Sequence, residues 1–301
     1  EIAEFTKTGQ PFHTALEKYP KYFPPLYVNL VKTGELSGTL EKNLNQLAEN
    51  LWKANDLRRK VKSAMLYPAI VFVAVMGLAF SVSLFVLPKI LPLFKTLKVE
   101  LPITTRGLIF IADLFAKHGI AVTAGSIGFI VFFAWLLKRD FIKPFTHRLI
   151  LFFPIVKNIV KHVNLVRLTQ TLHTLLASGI TLDTSLQITV DSTNNRAYKK
   201  AVASLIPQVQ KGEPLAKALS AHPRLFPLLV THMIAMGEQT GSLEKTMGYL
   251  SDYYEEEVDA ALKNLATALE PILLMVIGVI VGTVAVSILG PIYQITGSLR
   301  D

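Results

Sequence analysis

The hydrophobic positions of this chain follow two different patterns. In residues 11–62 and 141–269, apolar side chains recur every three or four residues, which is the period of amphipathic helices. Residues 63–88, 119–137 and 271–299 instead carry no charged side chain at all, and a bilayer crossing takes about 20 such residues. No stretch shows the sustained two-residue alternation of a half-buried strand. The pattern therefore predicts an all-α membrane protein.

A nine-residue segment occurs twice. Residues 34–42 read GELSGTLEK, residues 237–245 read GEQTGSLEK, and an offset of 203 residues places one on the other without a gap. The same offset pairs further residues: Gly9 with Gly212, Pro11 with Pro214, Pro20 with Pro223, Pro68 with Pro271 and Pro88 with Pro291. A match over about eighty residues indicates an internal duplication. Glu1 falls opposite Ser204, so we expect roughly forty further residues of the first copy upstream.

The duplication and the uncharged runs together predict two homologous helical-bundle domains and three transmembrane helices. The predicted parts are a first cytoplasmic helical domain, an N-terminally truncated repeat (1–62), transmembrane helix 1 (63–88), a short periplasmic segment (89–118), transmembrane helix 2 (119–137), a second cytoplasmic helical domain, a complete repeat (138–269), and transmembrane helix 3 (270–299). Two spans separate the domains, so both lie on one side of the membrane. Lysine and arginine flank the spans on both faces, so the charge distribution only leans towards a cytoplasmic location.

Composition narrows the class of function. Hydrophobic residues make up 51% of the chain and charged residues 18%, with a mean hydropathy of +0.41, as in a membrane protein with sizeable aqueous parts. The net charge of +9 comes without the aromatic interleaving of a nucleic-acid reader, so membrane lipids are the expected partner rather than nucleic acid. Cysteine is absent, and the seven histidines lack metal-ligand spacing. We therefore predict no catalytic, cofactor or metal site.

The duplicated segment predicts a tight turn between two helices, in which glycine supplies a positive φ. A phosphate-binding loop would need Lys-Ser/Thr after the glycines, and residues 237–242 lack it, so we predict no nucleotide-binding site there. Two interpretations stay open for the glutamates: each carboxylate locks its own turn through backbone N–H groups, which we favour, or it contacts a basic partner or a cation. The candidate residues are Gly34, Glu35, Gly38, Gly237, Glu238 and Gly241.

The helical segments that lead into the first and third spans, here called stalks, carry opposite charge. The first contains Arg58, Arg59, Lys60 and Lys62, and the second contains Asp252, Glu255, Glu256, Glu257 and Asp259. Two solvated helix faces are the simpler interpretation. The sharper hypothesis places the basic stalk on anionic lipid and brings Glu255, Glu256 and Glu257 to a basic partner or to the other stalk.

The predicted spans offer packing features rather than chemistry. An ion or proton path needs ionisable groups at membrane depth, and the uncharged runs have none. Gly278 and Gly282 are spaced like a small-xxx-small packing motif, unless glycine is merely tolerated there. Pro68 and Pro271 complete the span-packing candidates, and Pro68 lies where a helix can kink or stop.

The doubled Gly-Glu-x-Ser/Thr-Gly-x-Leu-Glu segment resembles the duplicated domain of type II secretion F proteins and of type IV pilus platform proteins. The helix end at residues 175–179 (LLASG), Tyr67-Pro68 and Glu270-Pro271 carry the same resemblance. It implies a non-enzymatic assembly platform in the bacterial inner membrane, which couples a cytoplasmic hexameric ATPase to the insertion of pilin or pseudopilin subunits. Other inner-membrane assembly proteins and further copies of the chain are implied partners. The alternatives are a small membrane transporter or channel and a membrane-tethered enzyme.

Overall fold

The computed structural model describes residues 5, 7, 9–81 and 154–298, and within these residues the secondary structure is helical, with no strand. The prediction of an all-α fold is therefore confirmed for the described part. The helices are α1 (Phe12–Glu17), α2 (Pro25–Ser37), α3 (Leu40–Ser81), α4 (Pro154–Ala177), α5 (Leu182–Ser192), α6 (Arg196–Gln210), α7 (Leu215–Ser220), α8 (Leu228–Gln239) and α9 (Leu243–Ser298). The predicted second span and the predicted periplasmic segment lie outside the described residues.

The chain divides into two compact units. The first comprises residues 1–62 and 155–262, and the second comprises residues 63–154 and 263–301. The first unit thus contains the described helices of both copies of the duplicated sequence, up to and including the two stalks. The domain boundaries given above stay a prediction.

The two copies have matching local structure. Helix α1 spans the same positions as α7 after the offset of 203 residues, and α3 begins at Leu40 where α9 begins at Leu243. Gly9 and Gly212 precede the short helices with φ of 76° and 84°. The duplication seen in the sequence is therefore a duplication of backbone geometry.

Apolar side chains from both copies share a core in the first unit. Leu26, Leu30 and Leu47 from the first copy pack in one cluster with three residues that surround the end of α4, namely Leu175, Ile180 and Ile188. Burial of each such side chain is worth about 1.5–3 kcal/mol. The first copy also has a smaller cluster of its own around Leu16, Val28 and Val31.

The second unit contains the continuations of two long helices, α3 with 42 residues and α9 with 56 residues. Neither Pro68 nor Pro271 ends its helix, so the expected alternative of a helix stop at Pro68 is wrong. Among the described helices, one segment, Leu243–Val279 within α9, is long and apolar enough to cross a membrane. The arrangement of three spans stays a prediction.

Candidate functional site

The duplicated turn is built by two glycines with different tasks. Gly38 ends α2 with φ of 71°, and Gly241 follows α8 with φ of 65°, which is the left-handed conformation expected of both. Gly34 and Gly237 lie inside α2 and α8. The expectation that the first glycine of each copy supplies the turn conformation is therefore wrong.

Gly34 and Gly237 permit a close approach of two helices. A Cβ added at Gly34 would lie 2.8 Å from Cα of Leu40, which is the first residue of α3. A Cβ added at Gly237 would lie 2.5 Å from Oγ1 and 3.0 Å from Cβ of Thr246 in α9. Both glycines are buried, so the reason for glycine here is packing of the next helix against the bare backbone.

Glu35 and Glu238 cap a different helix from the one they lie in. The N–H groups of Phe12 and His13, the first residues of α1, donate to the Glu35 carboxylate at 2.6 and 2.9 Å. In the second copy, the N–H groups at the start of α7 donate to the Glu238 carboxylate at 2.6 and 3.0 Å. The helix N-termini follow Pro11 and Pro214, which supply no side-chain cap. Each carboxylate thus satisfies orphan backbone donors and complements the helix dipole.

This arrangement refines the favoured interpretation of the two glutamates. The carboxylates do bind backbone N–H groups, but the groups belong to a helix 22 or 23 residues upstream rather than to the glutamate's own turn. The capped helix begins next to the α2–α3 or α8–α9 hairpin as a result. The glutamates therefore fasten α1 to α2 and α7 to α8.

His13 gives the first copy an additional contact. Its Nδ1 lies 2.6 Å from Oε2 of Glu35, whereas the equivalent position in the second copy is Ala216. Desolvation raises the pKa of Glu35, but the hydrogen bonds from His13 and Phe12 outweigh it, and the net effect is a lowered pKa. The Glu35 carboxylate therefore stays charged at neutral pH.

The basic and acidic stalks contact each other within the first unit. Lys60 Nζ lies 2.9 Å from Oε1 of Glu255, 3.1 Å from Oδ2 of Asp259 and 3.1 Å from Oδ2 of Asp56. About two turns before it on α3, Lys53 Nζ lies 3.1 Å from Oδ1 of Asp252. The sequence left solvent, a basic partner or the other stalk open as the environment of Glu255. In the structure, Glu255 contacts the other stalk. Lys60 is consequently not an exposed lipid-facing charge.

Three carboxylates around one ammonium group determine the protonation of Lys60. Desolvation lowers its pKa, but the hydrogen bonds to Glu255, Asp259 and Asp56 raise it more, so that the net pKa lies above the ordinary value. Lys60 is therefore a permanent positive charge that offsets repulsion between the surrounding carboxylates. All of these side chains are partly exposed, so each pair on its own is worth little.

Next to the Lys60 ion pairs, α9 presents an exposed face of acidic and aromatic residues, here called the acidic stripe: Tyr249, Asp252, which also pairs with Lys53, Tyr253 and Glu256. Their spacing of three and four residues places them on one side of the helix. Glu257 is half-buried beside the stripe, where its charge raises the pKa of the Tyr253 hydroxyl and its carboxylate lies 3.9 Å from Nδ1 of His162. Of the three candidate stalk glutamates, Glu256 is thus the one that is fully on the surface.

Comparison with known proteins identifies the family. The family described as Type II secretion system (T2SS), protein F, matches residues 1–88 and 168–291. The chain belongs to the type II secretion system protein F family. The two matched segments end at Pro88 and Pro291, which are related by the offset of 203 residues that the duplicated segment defines. The two matched segments therefore end at equivalent positions of the internal repeat.

Similar proteins are named for two systems. A type IV pilus assembly protein PilC of Thermus thermophilus is 35% identical over 97% of this chain and 71% of its own length. A PilC of Pseudomonas aeruginosa is also 35% identical, over 98% of this chain and 79% of its own length. A type II secretion system protein F of Pseudomonas aeruginosa is 29% identical over 95% of this chain and 71% of its own length.

Two features of this F-family chain were not singled out from its sequence. Lys53 was not identified as a partner of the acidic stalk, although its spacing of seven residues from Lys60 places both on one face of α3. The second is a cleft of about 810 Å³ between helices of the two copies in the first unit. No local motif predicts the cleft, because its two walls come from residues more than a hundred positions apart in the sequence.

The candidate residues of the predicted spans can be placed only in part. Gly278 lies in the membrane-length segment of α9 and Gly282 follows it, and a Cβ added at either would meet no described atom within 4 Å. Large apolar side chains nearby, such as Leu274 and Met275, are 65% and 70% exposed. Packing roles for these glycines, for Pro68 and for Pro271 therefore stay predictions. In the described part of the chain, no group of three or more His, Asp or Glu residues could hold a metal ion.

Proposed function

We propose that this protein is an inner-membrane assembly platform of a type IV pilus or type II secretion system. The observation that supports the proposal most strongly is the family match to both copies, together with relatives that are named for these two systems. The platform has no catalytic role of its own in this proposal. It couples a cytoplasmic hexameric ATPase to the insertion of pilin or pseudopilin subunits into a fibre.

The surface of the second copy supplies a contact for the ATPase. The acidic stripe is exposed and carries two carboxylates together with the tyrosines Tyr249 and Tyr253. Aromatic side chains are enriched at protein interfaces, and surface charge steers the encounter of the partners. The stripe lies on the same helix as the uncharged stretch that begins at Pro271, so a force applied to the stripe acts directly on that stretch.

The lipid-facing part of the proposal rests on the apolar surface of α9. Its membrane-length segment exposes residues such as Ile272, Leu274 and Val279. A soluble protein rarely leaves so many adjacent apolar side chains in water, which favours a bilayer as their environment. Multiple spans and the cytoplasmic position of the first unit are part of the proposal.

The test uses the full chain in detergent, with an affinity tag, and the purified assembly ATPase and pilin-like subunits of the same cell. Co-purification of both partners with the tagged chain is the expected result. If neither partner is retained while reconstituted vesicles show ion or solute flux, the platform proposal is wrong and the transporter or channel alternative takes its place.

A pair of charge reversals locates the motor contact. Glu256→Lys changes the stripe without touching an ion pair of the described residues, and we expect about a tenfold loss of ATPase affinity. Glu17→Lys is the matched control, because Glu17 is equally exposed but lies on α1. Equal binding by the wild type and Glu256→Lys would remove the stripe from the proposal and leave the platform role standing.

A further inference from the structure

The cleft in the first unit lies between the helices of the first copy and the leading helices of the second. Its volume of about 810 Å³ falls in the range of sites that hold drug-sized ligands or short peptide segments. Residues from α2 and α3 form one wall, and residues from α4, from α5 with its following loop, and from α6 form the other. The duplication thus creates a concave surface that neither copy has alone.

Two arginines are the charged residues among those that line the cleft. Arg58 comes from α3 and Arg167 from α4, and neither has a carboxylate within ion-pair distance in the described part of the chain. The pKa of Arg167 is lowered by desolvation and, to a smaller degree, by the positive charge of Arg58. Guanidinium groups are suited to planar anions, which they bind through paired N–H donors. The cleft is therefore a positive site without a matching negative charge.

Amide side chains give the cleft acceptors as well as donors. Asn50 uses its Nδ2 to donate to Oγ1 of Thr174 at 2.9 Å, and Asn164 uses its Nδ2 to donate to the Val160 carbonyl at 2.6 Å. Each amide keeps its Oδ1 as an acceptor and one further N–H as a donor. A ligand that brings N–H donors in addition to negative charge can therefore use both kinds of group.

Gln170 is a second, independent sign of an absent ligand. Its side chain lines the cleft at 7% exposure, and its Nε2 has no hydrogen-bond partner within the described residues. The Ser192 hydroxyl on the same wall is buried and has no hydrogen-bond partner within the described residues either. Buried donors without an acceptor are destabilising, so a ligand that accepts from them after a small side-chain rotation gains affinity.

We propose that this cleft binds an acidic peptide segment of a partner protein. Side-chain carboxylates of the segment pair with Arg58 and Arg167, and main-chain N–H groups donate to the asparagine carbonyls. Trp52 and Leu51, which are 67% and 43% exposed at the rim, cover an apolar side chain of the same segment. The proposal goes beyond the platform role and does not depend on it.

The lining favours a peptide over a phosphate compound. A phosphate group offers acceptors only, so it would leave the asparagine carbonyls opposite its own oxygens without a donor. Nucleotide polyphosphates are usually bound together with Mg²⁺, which takes carboxylate ligands, and no Asp or Glu is among the residues that line the cleft. A peptide satisfies both kinds of group at once.

The binding test uses the full chain in detergent and a fluorescein-labelled peptide of nine residues with four Asp or Glu side chains and one Leu. A second peptide has Asn and Gln at the four acidic positions. Fluorescence anisotropy should give an affinity at least about tenfold higher for the acidic peptide, because each charge-assisted pair contributes more than a neutral one. Equal affinity for both peptides would contradict the proposal.

The neighbouring residues Arg58 and Arg59 provide a variant and its matched control. Arg58→Gln should weaken binding of the acidic peptide about tenfold, and Arg167→Gln should do the same. Arg59→Gln removes the same charge from the next position of α3, which is exposed but does not line the cleft, and should change the affinity less than about twofold. Thermal unfolding of each variant by circular dichroism confirms that the fold is retained. Both arginines are exposed, so both variants are expected to fold, and either one alone suffices for the test.

Three outcomes would overturn the proposal. Equal losses in Arg58→Gln and Arg59→Gln would show attraction to the stalk as a whole rather than to the cleft. Displacement of the peptide by inorganic phosphate or pyrophosphate at concentrations that leave the amide peptide's signal unchanged would show an anion site instead. If the amide peptide binds tightly to the wild type and equally tightly to both arginine variants, only the apolar contact at Trp52 would account for binding.

Discussion

The two copies of the duplicated sequence share their backbone and differ in their surface. In both, a positive-φ glycine makes the turn, a second glycine lets the next helix approach, and a glutamate caps a helix that lies 22 or 23 residues upstream. The outward faces of α3 and α9 have instead become basic and acidic, so that Lys53 occupies the position equivalent to Glu256. The shared positions are those that satisfy backbone groups or permit close packing.

This contrast separates two sources of stability. The hairpin depends on close packing of buried backbone, and its cap depends on charge-assisted hydrogen bonds to backbone N–H groups. The stalk contacts depend on partly exposed charges, which water and salt weaken. Changes in the hairpin should therefore cost more than changes in the stalk pairs, and their effects should be similar in the two copies.

The largest effect is expected from Gly34→Ala. The added methyl group would meet the Leu40 backbone at 2.8 Å, so the α2–α3 hairpin must open, at a cost of about 2 kcal/mol. Gly237→Ala should cost somewhat less, because its nearest obstacle is the Thr246 side chain, which can rotate. Thermal unfolding of the full chain in detergent, followed by circular dichroism, measures both.

Gly77→Ala is the control for this comparison. Gly77 also lies in α3, but a Cβ there would meet no described atom within 4 Å, so the variant should keep the melting temperature of the wild type or raise it slightly. If Gly34→Ala and Gly77→Ala unfold at the same temperature, close helix packing is not the reason for the duplicated glycine.

The next largest effect is expected from Glu35→Gln and Glu238→Gln. Glutamine keeps one acceptor but loses the charge and places an NH₂ group against a backbone N–H, so each variant should lose about 1–2 kcal/mol of unfolding free energy. Chemical denaturation of the full chain measures the loss. A loss in one copy only would contradict the equivalence of the two caps.

The Glu35 cap also predicts a dependence on pH. Its folded-state pKa lies below the ordinary value of 4.5, so the stabilisation is complete above that pH and is lost as the pH falls through the lowered value. The difference in stability between the wild type and Glu35→Gln should therefore shrink below about pH 4.5. A difference that stays constant down to the acid end of the titration would show that the charge of Glu35 does not carry the effect.

Local sequence patterns predicted the helices, the duplication and the turn at Gly38 and Gly241, because these follow from periodicity and from the conformations that glycine allows. The tasks of Gly34 and Glu35 could not be derived in the same way. Both depend on which distant residues lie opposite, and a positive-φ turn and a packed helix favour the same residue type in the sequence. The cleft could not be predicted for the same reason, since its two arginines are 109 positions apart in the sequence and line one cleft only in the folded chain.

The ion pairs between the stalks lead to a smaller expected effect. Lys60→Met leaves three carboxylates facing one another and should cost about 1 kcal/mol at low salt, with a smaller cost in 1 M NaCl. Lys263→Met is the matched control, because Lys263 occupies the equivalent position of the second copy, is exposed, and forms no ion pair with the described residues. Identical melting temperatures for the two variants at low salt would contradict a structural role of Lys60.

The smallest effect is expected from His13→Ala, which gives the first copy the residue found at Ala216 in the second. The variant removes the contact between the imidazole and Oε2 of Glu35 but keeps both backbone N–H groups on the carboxylate, so we expect a loss of about 0.5–1 kcal/mol. Chemical denaturation in the Glu35→Gln background supplies the discriminating measurement. If His13 acts through the charged Glu35 carboxylate, the loss should be smaller in that background. A loss of the same size in both backgrounds would assign the effect of His13 to its packing in α1, and the caps of the two copies would then be equivalent in their chemistry as well as in their geometry.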